Sequence, residues 1–333
     1  MMTEFLDSCL AAIKAQETSI ADTLKNVNVE GAFRIAAKRQ VILVGAGDSY
    51  GVADFGRWAL LSAGLNAYSV SPTEIAYIPL DSECVVIGVT ASGRSLSTQD
   101  AIRTAKAHGA SIIVLTDDPN GRAANEASDV WTTRAGVQSY NVSPASPTTT
   151  AMAYLLRIAS EMDSQFQRNL KHDVNRLSKS GREMLAWAEE EGITISNMIS
   201  PETPLYMISD GPNYAAAQIG MMKFNEFSIM KGIAALREEF CHHHALSIGE
   251  REQVILISTS PPSAGDKLYL GILSDTLKMR THHLHNDLGL RTALAQAIPN
   301  TIALQMAAHY TVRRFKPDME GFKMPHAKAF QIY

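Results

Sequence analysis

Short apolar runs that end in glycine or hydroxyl residues recur along the chain, and each precedes a stretch with helical spacing. The first segments of this kind are RQVILVGAGDSYG, ECVVIGVTASGRS and ASIIVLTDDPNG, and VWTTR adds a further run. Apolar runs of strand length that alternate with amphipathic helices indicate a parallel sheet with helices on both faces. The pattern therefore predicts an α/β fold.

The same succession restarts in the second half of the chain. After a predicted helical connector over 148–191, PLYMISDGPNYAAAQ and EQVILISTSPPSAG again read as strand, turn and helix. At 333 residues the chain is long enough for two domains, because single cores stop growing near roughly 250–300 residues. We expect two copies of one α/β unit, at 30–165 and 195–333, preceded by an N-terminal helix at 1–29.

Composition and charge exclude several classes of partner. The net charge of −4 comes without basic runs, so no nucleic-acid partner is expected. The three cysteines are scattered without CxxC spacing, which is typical of a reducing compartment. The N-terminus is acidic where a signal peptide is basic, and no apolar run approaches about 18 residues. We expect a cytoplasmic protein with no membrane contact.

The loop from Thr90 to Ser95 carries hydroxyls, Gly93 and Arg94 between a predicted strand and a predicted helix. Backbone N–H groups, hydroxyl donors and the positive end of a helix suit an anion such as phosphate. The alternative is an ordinary turn in which Ser95 caps the helix. GAGDSYG, at 45–51, lacks the third glycine of a dinucleotide fingerprint, and no acidic residue ends the next strand. No cofactor is expected.

Three adjacent histidines stand in REEFCHHHALSIGE, at 237–250. On a helix they point about 100° apart and cannot converge on one ion, whereas on a strand His242 and His244 share a face. A metal site would also need Glu239 or Glu250, so metal binding, a solvated loop and proton transfer all stay open. A second cluster, THHLHND at 281–287, fits a surface or dimer strand, with a metal role as the alternative.

These segments together resemble the tandem form of the sugar isomerase (SIS) domain family. A strand, GxGxSY and a helix, then a strand ending in SGxS, all duplicated, is similar to the isomerase half of glucosamine-6-phosphate synthase and to fructosamine-6-phosphate deglycases. The resemblance covers nearly the whole chain after the first 30 residues. It implies two flavodoxin-like SIS domains and an anionic sugar substrate. The substrate-binding residues that we expect are Ser49, Thr90, Ser92, Gly93, Arg94, Ser95, Val142 and Lys223.

The resemblance also implies three catalytic residues. Glu226 ends a helical stretch, MMKFNE, that is similar to the family's ALKLKE, whose glutamate moves a proton between C1 and C2 of the sugar. His242 follows sixteen residues later in a segment similar to ELKH, and Lys328 stands in KMPHAKAF near the family's lysine position. In relatives this histidine crosses a dimer interface, so a homodimer is expected. From spacing alone, Lys223 and Glu226 are more typical of a solvated surface pair.

Three reactions fit these residues: sugar isomerisation, deamination of an amino-sugar phosphate, and cleavage of a fructosamine phosphate. No glutaminase domain is seen in the sequence, which favours the two amine-releasing reactions. Arg94 replaces a family glutamate, and Val142–Ser146 departs from the family's Ser-Thr-Lys, so the sugar and its anion, phosphate or sulfonate, stay open. The rival interpretation is a non-catalytic phosphosugar-binding regulator.

Overall fold

The computed structural model describes residues 3–136, 145–249, 251–322 and 329–332. Contacts divide the chain into two compact units. The first-sheet unit comprises Ala15–Gly181 with the described part of 323–333, and the second-sheet unit comprises the described part of 1–14 with Arg182–Phe322. Among the described residues, no helix is both long and apolar enough to cross a membrane.

The first-sheet unit contains a parallel sheet with the strand order β2-β1-β3-β4-β5. All six residues of β3 are buried, as expected for a central strand covered on both faces. Ile42, Val86 and Val114 lie in the core against Ile102. The strands are β1 (Gln40–Val44), β2 (Ala67–Val70), β3 (Cys84–Val89), β4 (Ser111–Thr116) and β5 (Asp129–Thr132).

The second-sheet unit repeats this arrangement with four parallel strands in the order β7-β6-β8-β9. Its core packs Ile208, Val254 and Leu256 against Phe240. The strands are β6 (Leu205–Ser209), β7 (Gly232–Leu236), β8 (Gln253–Ile257) and β9 (Arg280–Leu284). Counted from the first strand, both sheets therefore begin with the order 2-1-3-4.

Helices connect the strands in both units. In the described part of the chain they are α1 (Glu4–Lys14), α2 (Gln16–Lys25), α3 (Glu30–Ala36), α4 (Asp48–Ser62), α5 (Leu96–Ala107), α6 (Ser146–Ser160), α7 (Gln167–Leu177), α8 (Gly181–Met198), α9 (Asn213–Glu226), α10 (Arg237–His242), α11 (Ala264–Gly271) and α12 (Ala293–Phe315). The α/β prediction with helix-flanked parallel sheets is confirmed, and so is the predicted helical connector, which consists of α6, α7 and α8.

The limits of the units differ from the predicted domains. The single helix expected at 1–29 is two helices, and α1 belongs to the second-sheet unit while α2 belongs to the first-sheet unit. At the other end of the chain, the backbone N–H of Leu96 donates to the carbonyl of Ile332 at 3.2 Å, which ties the C-terminal residues to the first-sheet unit. A strand-and-helix pattern records local periodicity, and it carries no information about such long-range exchange.

Candidate active site

The carboxyl ends of β1 and β3 mark the point where the strand order of the first sheet reverses. β1 lies between β2 and β3, and the chain moves outward in opposite directions from the two strands. Open α/β sheets bind ligands in the crevice outside such strand ends. The turn that contains Ser49 follows β1, and the loop from Thr90 to Ser95 follows β3, so the fold brings these two predicted binding segments to one edge.

Gly93 fixes the conformation of the loop from Thr90 to Ser95, which is called the anion loop below. It has a φ of +65°, and an added Cβ would lie 2.9 Å from the Cα of Gly121, so a side chain there would be strained and crowded. Its N–H donates to the hydroxyl of Thr90 at 3.2 Å, and its carbonyl accepts from the N–H of Ala123 at 3.2 Å. The loop is therefore fixed against the turn that follows β4.

The hydroxyls of Ser92 and Ser95 occupy partly exposed positions in this loop. The oxygen of Ser92 accepts from the N–H of Arg94 at 3.4 Å, and Arg94 itself is exposed. Ser95 caps α5, with its oxygen accepting from the N–H of Thr98 at 3.4 Å. The cap that the sequence offered as an alternative is thus present. A capping oxygen still has a proton to donate, so capping and anion binding are compatible.

Gln99 is a residue of this site that the sequence did not reveal. Its side chain is 2% exposed, and Nε2 donates to the carbonyls of Gly93 and Arg94 at 3.3 and 3.0 Å. These bonds fix two carbonyls of the loop to α5. A glutamine four residues into a helix gives no sequence signal for this role.

The turn after β1 is equally constrained. Gly47 has a φ of +58°, and a Cβ at Gly45 would lie 2.5 Å from the backbone oxygen of Ser49. The N–H of Ser49 donates to the carbonyl of Ala46 at 3.2 Å, which starts α4. The half-buried hydroxyl of Ser49 thus stands in the first turn of a 15-residue helix. Val142 lies outside the described residues.

Asp117 follows the end of β4, and its side chain bonds to residues that follow β5. Its Oδ1 accepts from the hydroxyl of Thr133 at 3.0 Å and from the N–H of Ala135 at 2.8 Å. Burial raises the pKa of the Asp117 carboxyl, and the bonds from Ala135 and Thr133 oppose that effect only in part. The residue ties β4 to the chain beyond β5.

In the second-sheet unit, Lys223 and Glu226 lie in the last turn of α9. Nζ of Lys223 is 3.0 Å from Oε2 of Glu226. The Lys223 side chain is 1% exposed and that of Glu226 is 33% exposed, so the interpretation as a solvated surface pair is wrong. The helix packs against α12, β6 and β7, and the Lys223 side chain is buried. A buried ammonium is costly unless it is paired, which makes this carboxylate its necessary neighbour.

His242 ends the short helix α10 with its side chain 72% exposed. Its Nε2 lies 3.0 Å from Oε1 of Glu238, one turn earlier. His244 instead packs on the rings of Tyr206 and Phe240, and burial lowers its pKa. The ring centroids of His243 and His244 lie 4.2 Å apart, so these two histidines are in contact, whereas His242 pairs with Glu238.

Metal binding finds no support at the described histidines. Among the residues that the structure describes, no group of three histidine, cysteine or acidic side chains is placed to hold a metal ion. THHLHND forms strand β9 and the turn after it, with Nε2 of His282 2.8 Å from Glu191 and Nε2 of His283 2.7 Å from the Ser258 hydroxyl. Glu250 and Lys328 lie outside the described residues.

Arg237 is a second residue that the sequence did not single out. In the guanidinium group, Nη1 lies 2.8 Å from Oδ1 of Asp266 and Nε lies 3.1 Å from Oδ2 of Asp210. The backbone N–H of Arg237 donates to Oδ1 of Asp210 at 3.3 Å. Burial raises the pKa of Asp266, but hydrogen bonds from Ser263 and Arg237 outweigh it and leave the pKa lowered. These contacts fix the start of α10, and so the helix that carries His242.

Comparison with protein families agrees with this arrangement at the first sheet. The SIS domain family matches over residues 34–159, which include β1 to β5, the Ser49 turn and the loop from Thr90 to Ser95. Residues 34–159 form a SIS domain. This confirms the expected SIS domain at the first sheet, and the expected second SIS domain stays a prediction.

Relatives extend the similarity further along the chain. The glutamine–fructose-6-phosphate aminotransferase (isomerizing) of Aquifex aeolicus is 27% identical over 272 residues, which are 80% of this chain and 45% of that protein. The chain thus spans about half the length of the curated relatives it matches. Over that length it is homologous to their isomerase region.

Solved structures share the fold at low identity. The C-terminal domain of glucosamine-fructose-6-phosphate aminotransferase from Francisella tularensis superposes with a TM-score of 0.77 at 16% identity, covering 91% of this chain and 94% of that one. Tagatose-6-phosphate ketose/aldose isomerase from Escherichia coli gives 0.73 at 16% identity, covering 98% and 99%. Glucosamine-6-phosphate deaminase from Thermotoga maritima gives 0.71 at 15% identity, covering 96% and 98%.

Proposed function

We propose that this chain is a phosphosugar enzyme of the SIS type that acts on an amino-sugar phosphate or a fructosamine phosphate. The observation that carries the proposal is the loop from Thr90 to Ser95. It places hydroxyls and a helix N-terminus at the reversal point of a SIS domain, in a conformation that only glycine at position 93 adopts easily. This is the chemistry that a phosphate monoester needs.

The anion is bound by donors of several kinds. The hydroxyls of Ser49, Ser92 and Ser95 donate to its oxygens, and the dipole of the 12-residue helix α5 favours its charge. Thr90, which is 4% exposed, supports the turn through the N–H of Gly93 and completes the set of hydroxyls. Exposed Arg94 adds a full positive charge at the mouth of the loop. A dianion is therefore preferred over a neutral sugar.

Glu226 is the base that transfers the carbon-bound proton. Its carboxylate is partly exposed, so it can reach a substrate, and the buried ammonium of Lys223 at 3.0 Å fixes its position. Because its side chain is 1% exposed, Lys223 acts on the substrate through Glu226. A positioned carboxylate of this kind contributes roughly 10²–10⁴-fold in rate.

His242 moves a proton at the ring oxygen, and Lys328 stabilises the ring-opened sugar. The exposure of the His242 imidazole suits a residue that acts on a site formed with a second copy of the chain, as the family resemblance implies. We accordingly propose a homodimer. Val142, expected from the resemblance to bind the sugar, stays part of the proposal.

Release of an amine follows from the same proton transfer. With glucosamine 6-phosphate, removal of the C2 proton after ring opening leaves an enolamine, and return of a proton to C1 converts the enolamine into a C2 imine. Water adds to the imine carbon, the C–N bond breaks, and the products are ammonia and the ketose phosphate. Support comes from the relatives, which include an aminotransferase that acts on fructose 6-phosphate and a glucosamine-6-phosphate deaminase fold.

The alternative is simple aldose–ketose isomerisation, for which the tagatose-6-phosphate isomerase fold is the supporting observation. Isomerisation would use Glu226 as the base in the same way, but it would release no amine. A binding protein without turnover is the third outcome. The distinguishing measurement is amine release against sugar interconversion.

The experiment supplies glucosamine 6-phosphate, a fructosyl-lysine 6-phosphate and fructose 6-phosphate, and it measures free amine and sugar products separately. We expect amine release, reduced about 10²–10⁴-fold in Glu226→Gln. The matched control is Asp100→Asn, because Asp100 forms an i,i+3 pair with Arg103 on an exposed helix face. Full activity in Glu226→Gln excludes this base, and binding without turnover of any of the three sugars supports the regulator.

A further inference from the structure

A second cavity opens on the other side of β1 from the anion loop, between α4 and the edge strand β2. It has a volume of about 490 Å³, and its lining includes Tyr50 and Asp54 of α4, Tyr68 and Ser69 of β2, and Tyr77. The volume lies within the roughly 300–1,000 Å³ of ordinary small-molecule sites. Ser49 and the loop from Thr90 to Ser95 do not line it, whereas Tyr50, the residue after Ser49, does.

Asp54 is the chemical centre of this cavity. Its side chain is 7% exposed, and Oδ1 accepts from Nε and Nη2 of Arg57 at 2.9 and 2.7 Å and from the hydroxyl of Ser69 at 3.0 Å. Its Oδ2 is buried and has no hydrogen-bond partner among the described residues. A carboxylate oxygen left in that state costs free energy, so a site that supplies a donor to it is favoured.

The charges around Asp54 restrict the class of ligand that can donate a hydrogen bond to it. The guanidinium of Arg57 neutralises Asp54 through two hydrogen bonds, so the ligand need not be a cation. Burial, and then the charge of Asp54, raise the pKa of Tyr50, which keeps its hydroxyl protonated and able to donate. Asp54 is an acceptor, and Tyr50, one helical turn earlier, is a donor. A neutral ligand that carries several hydroxyls is complementary to both.

Two further tyrosines supply flat apolar surface. Tyr68 is 45% exposed and Tyr77 is 87% exposed, an unusual solvent exposure for rings of this size within one pocket lining. A tyrosine ring offers a rigid apolar face with a polar end, and it loses little conformational entropy on binding. The C–H face of a sugar ring is complementary to such a face, and its hydroxyls are complementary to Asp54 and Tyr50.

We propose that this cavity binds the ring of a neutral, unphosphorylated monosaccharide unit, with Asp54 Oδ2 accepting a hydrogen bond from a sugar hydroxyl and the Tyr77 ring stacking on the sugar. The site is separate from the anion loop and does not depend on the function proposed above. It gives the chain a second recognition point for carbohydrate.

The test uses methyl β-D-glucopyranoside, a sugar that has no anion and whose locked ring cannot open for the proposed reaction. Saturation-transfer NMR on the full chain reports whether the protein contacts this sugar, and a titration gives its Kd. We expect transfer to the sugar C–H protons. Tyr77→Ala and Asp54→Asn weaken binding at least about tenfold, whereas Tyr77→Phe, which keeps the ring, retains it.

Two control variants distinguish binding in this cavity from binding at another aromatic surface or at the anion loop. Phe33→Ala removes a ring that is 68% exposed elsewhere in the same unit, and Ser92→Ala alters the anion loop. Both keep the wild-type Kd for the methyl glycoside if the proposal holds. Because Tyr77 is exposed, its variants keep the test valid even if Asp54→Asn fails to fold.

Three results would overturn the proposal. The first is absence of transfer at high sugar concentration. The second is binding that survives both Tyr77→Ala and Asp54→Asn or that is lost in Ser92→Ala. The third is a fall in particle mass in Tyr77→Ala, measured by light scattering, because the cavity would then be covered by a second copy of the chain.

Discussion

The edges of the two sheets share a strand order and differ in how their loops use polar groups. In the first sheet, the loop after β3 satisfies its hydroxyls largely with its own N–H groups, from Thr90 to Thr98. In the second sheet, the loop after β8 is tied to three other elements: Ser258 to His283 of β9, Ser260 to Gln296 of α12, and Ser263 to Asp266, which pairs with Arg237 of α10.

The difference shows that one topology serves two purposes. At the first edge the loop hydroxyls bond within the loop, so a ligand can bind them without displacing another element, while the loop backbone at Gly93 is held against the turn after β4. A loop whose polar groups are engaged with β9, α10 and α12 instead anchors those elements. The second edge therefore positions the helix that carries His242.

The largest effect that we expect on stability concerns His309, which is fully buried in α12 of the second-sheet unit. Burial, with the positive charges of Arg313 and Lys14, lowers the pKa of His309 to about 4. The folded pKa lies below the unfolded value of about 6.5, so the neutral ring stabilises the fold above pH 6.5 and this contribution is lost as pH falls toward 4. The full loss is about 3 kcal/mol.

Hydrogen exchange across α12, corrected for its intrinsic pH dependence, measures this loss between pH 7 and pH 4. His309→Leu replaces the imidazole with an apolar side chain of similar size that cannot titrate. It should therefore remove most of the pH dependence of exchange in α12. If exchange in α12 of His309→Leu still accelerates as it does in the wild type, another group is responsible.

The second largest effect concerns the anchor of α10. Arg237→Ala leaves the largely buried carboxylate of Asp266 without its cation, and we expect a loss of about 2 kcal/mol in local unfolding free energy. Exchange of the amides in α10 and at the end of β6 measures it. Arg103→Ala is the control, because this exposed arginine also pairs with two acids, and it should cost less than about 1 kcal/mol. Equal losses of unfolding free energy in Arg237→Ala and Arg103→Ala would contradict the difference that we infer between the edges of the two sheets.

A smaller contrast separates two glycines, one in the loop after β3 of the first sheet and one in the turn after β6 of the second. Gly93→Ala meets both a φ of +65° and the Cα of Gly121 at 2.9 Å, whereas Gly211→Ala meets a φ of +54° with open space. We expect Gly93→Ala to be the less stable by about 1 kcal/mol, with phosphosugar affinity reduced as well. Thermal unfolding and phosphosugar titration of both variants measure this. Identical stability would mean that the loop relaxes freely.

The smallest expected effect on stability is at Arg94. Because its side chain is exposed, Arg94→Ala should change the unfolding free energy by less than about 0.5 kcal/mol. Its affinity for a sugar phosphate should nevertheless fall about tenfold, and the dependence of binding on salt should weaken. Calorimetry with glucosamine 6-phosphate at two salt concentrations tests this. Unchanged affinity would exclude Arg94 from the anion site.

Some of the candidate site could be predicted because it depends on local sequence. The strands, the loop from Thr90 to Ser95 and the cap at Ser95 follow from apolar runs and turn residues within a few positions of one another. The burial of Lys223 could not be predicted in this way. Its spacing to Glu226 fits an exposed pair, and only the tertiary packing around α9 buries the ammonium.

The sequence by itself determined the α/β fold, the alternation of strands and helices, and the residue types at the predicted strand ends, because these depend on periodicity and short-range turn chemistry. Tertiary structure decided the assignment of α1 and the C-terminal residues to their units, the anchoring of α10 by Arg237, and the buried carboxylate oxygen of Asp54. Each of these depends on residues that are distant in sequence or on burial, and burial is a property of the packed chain.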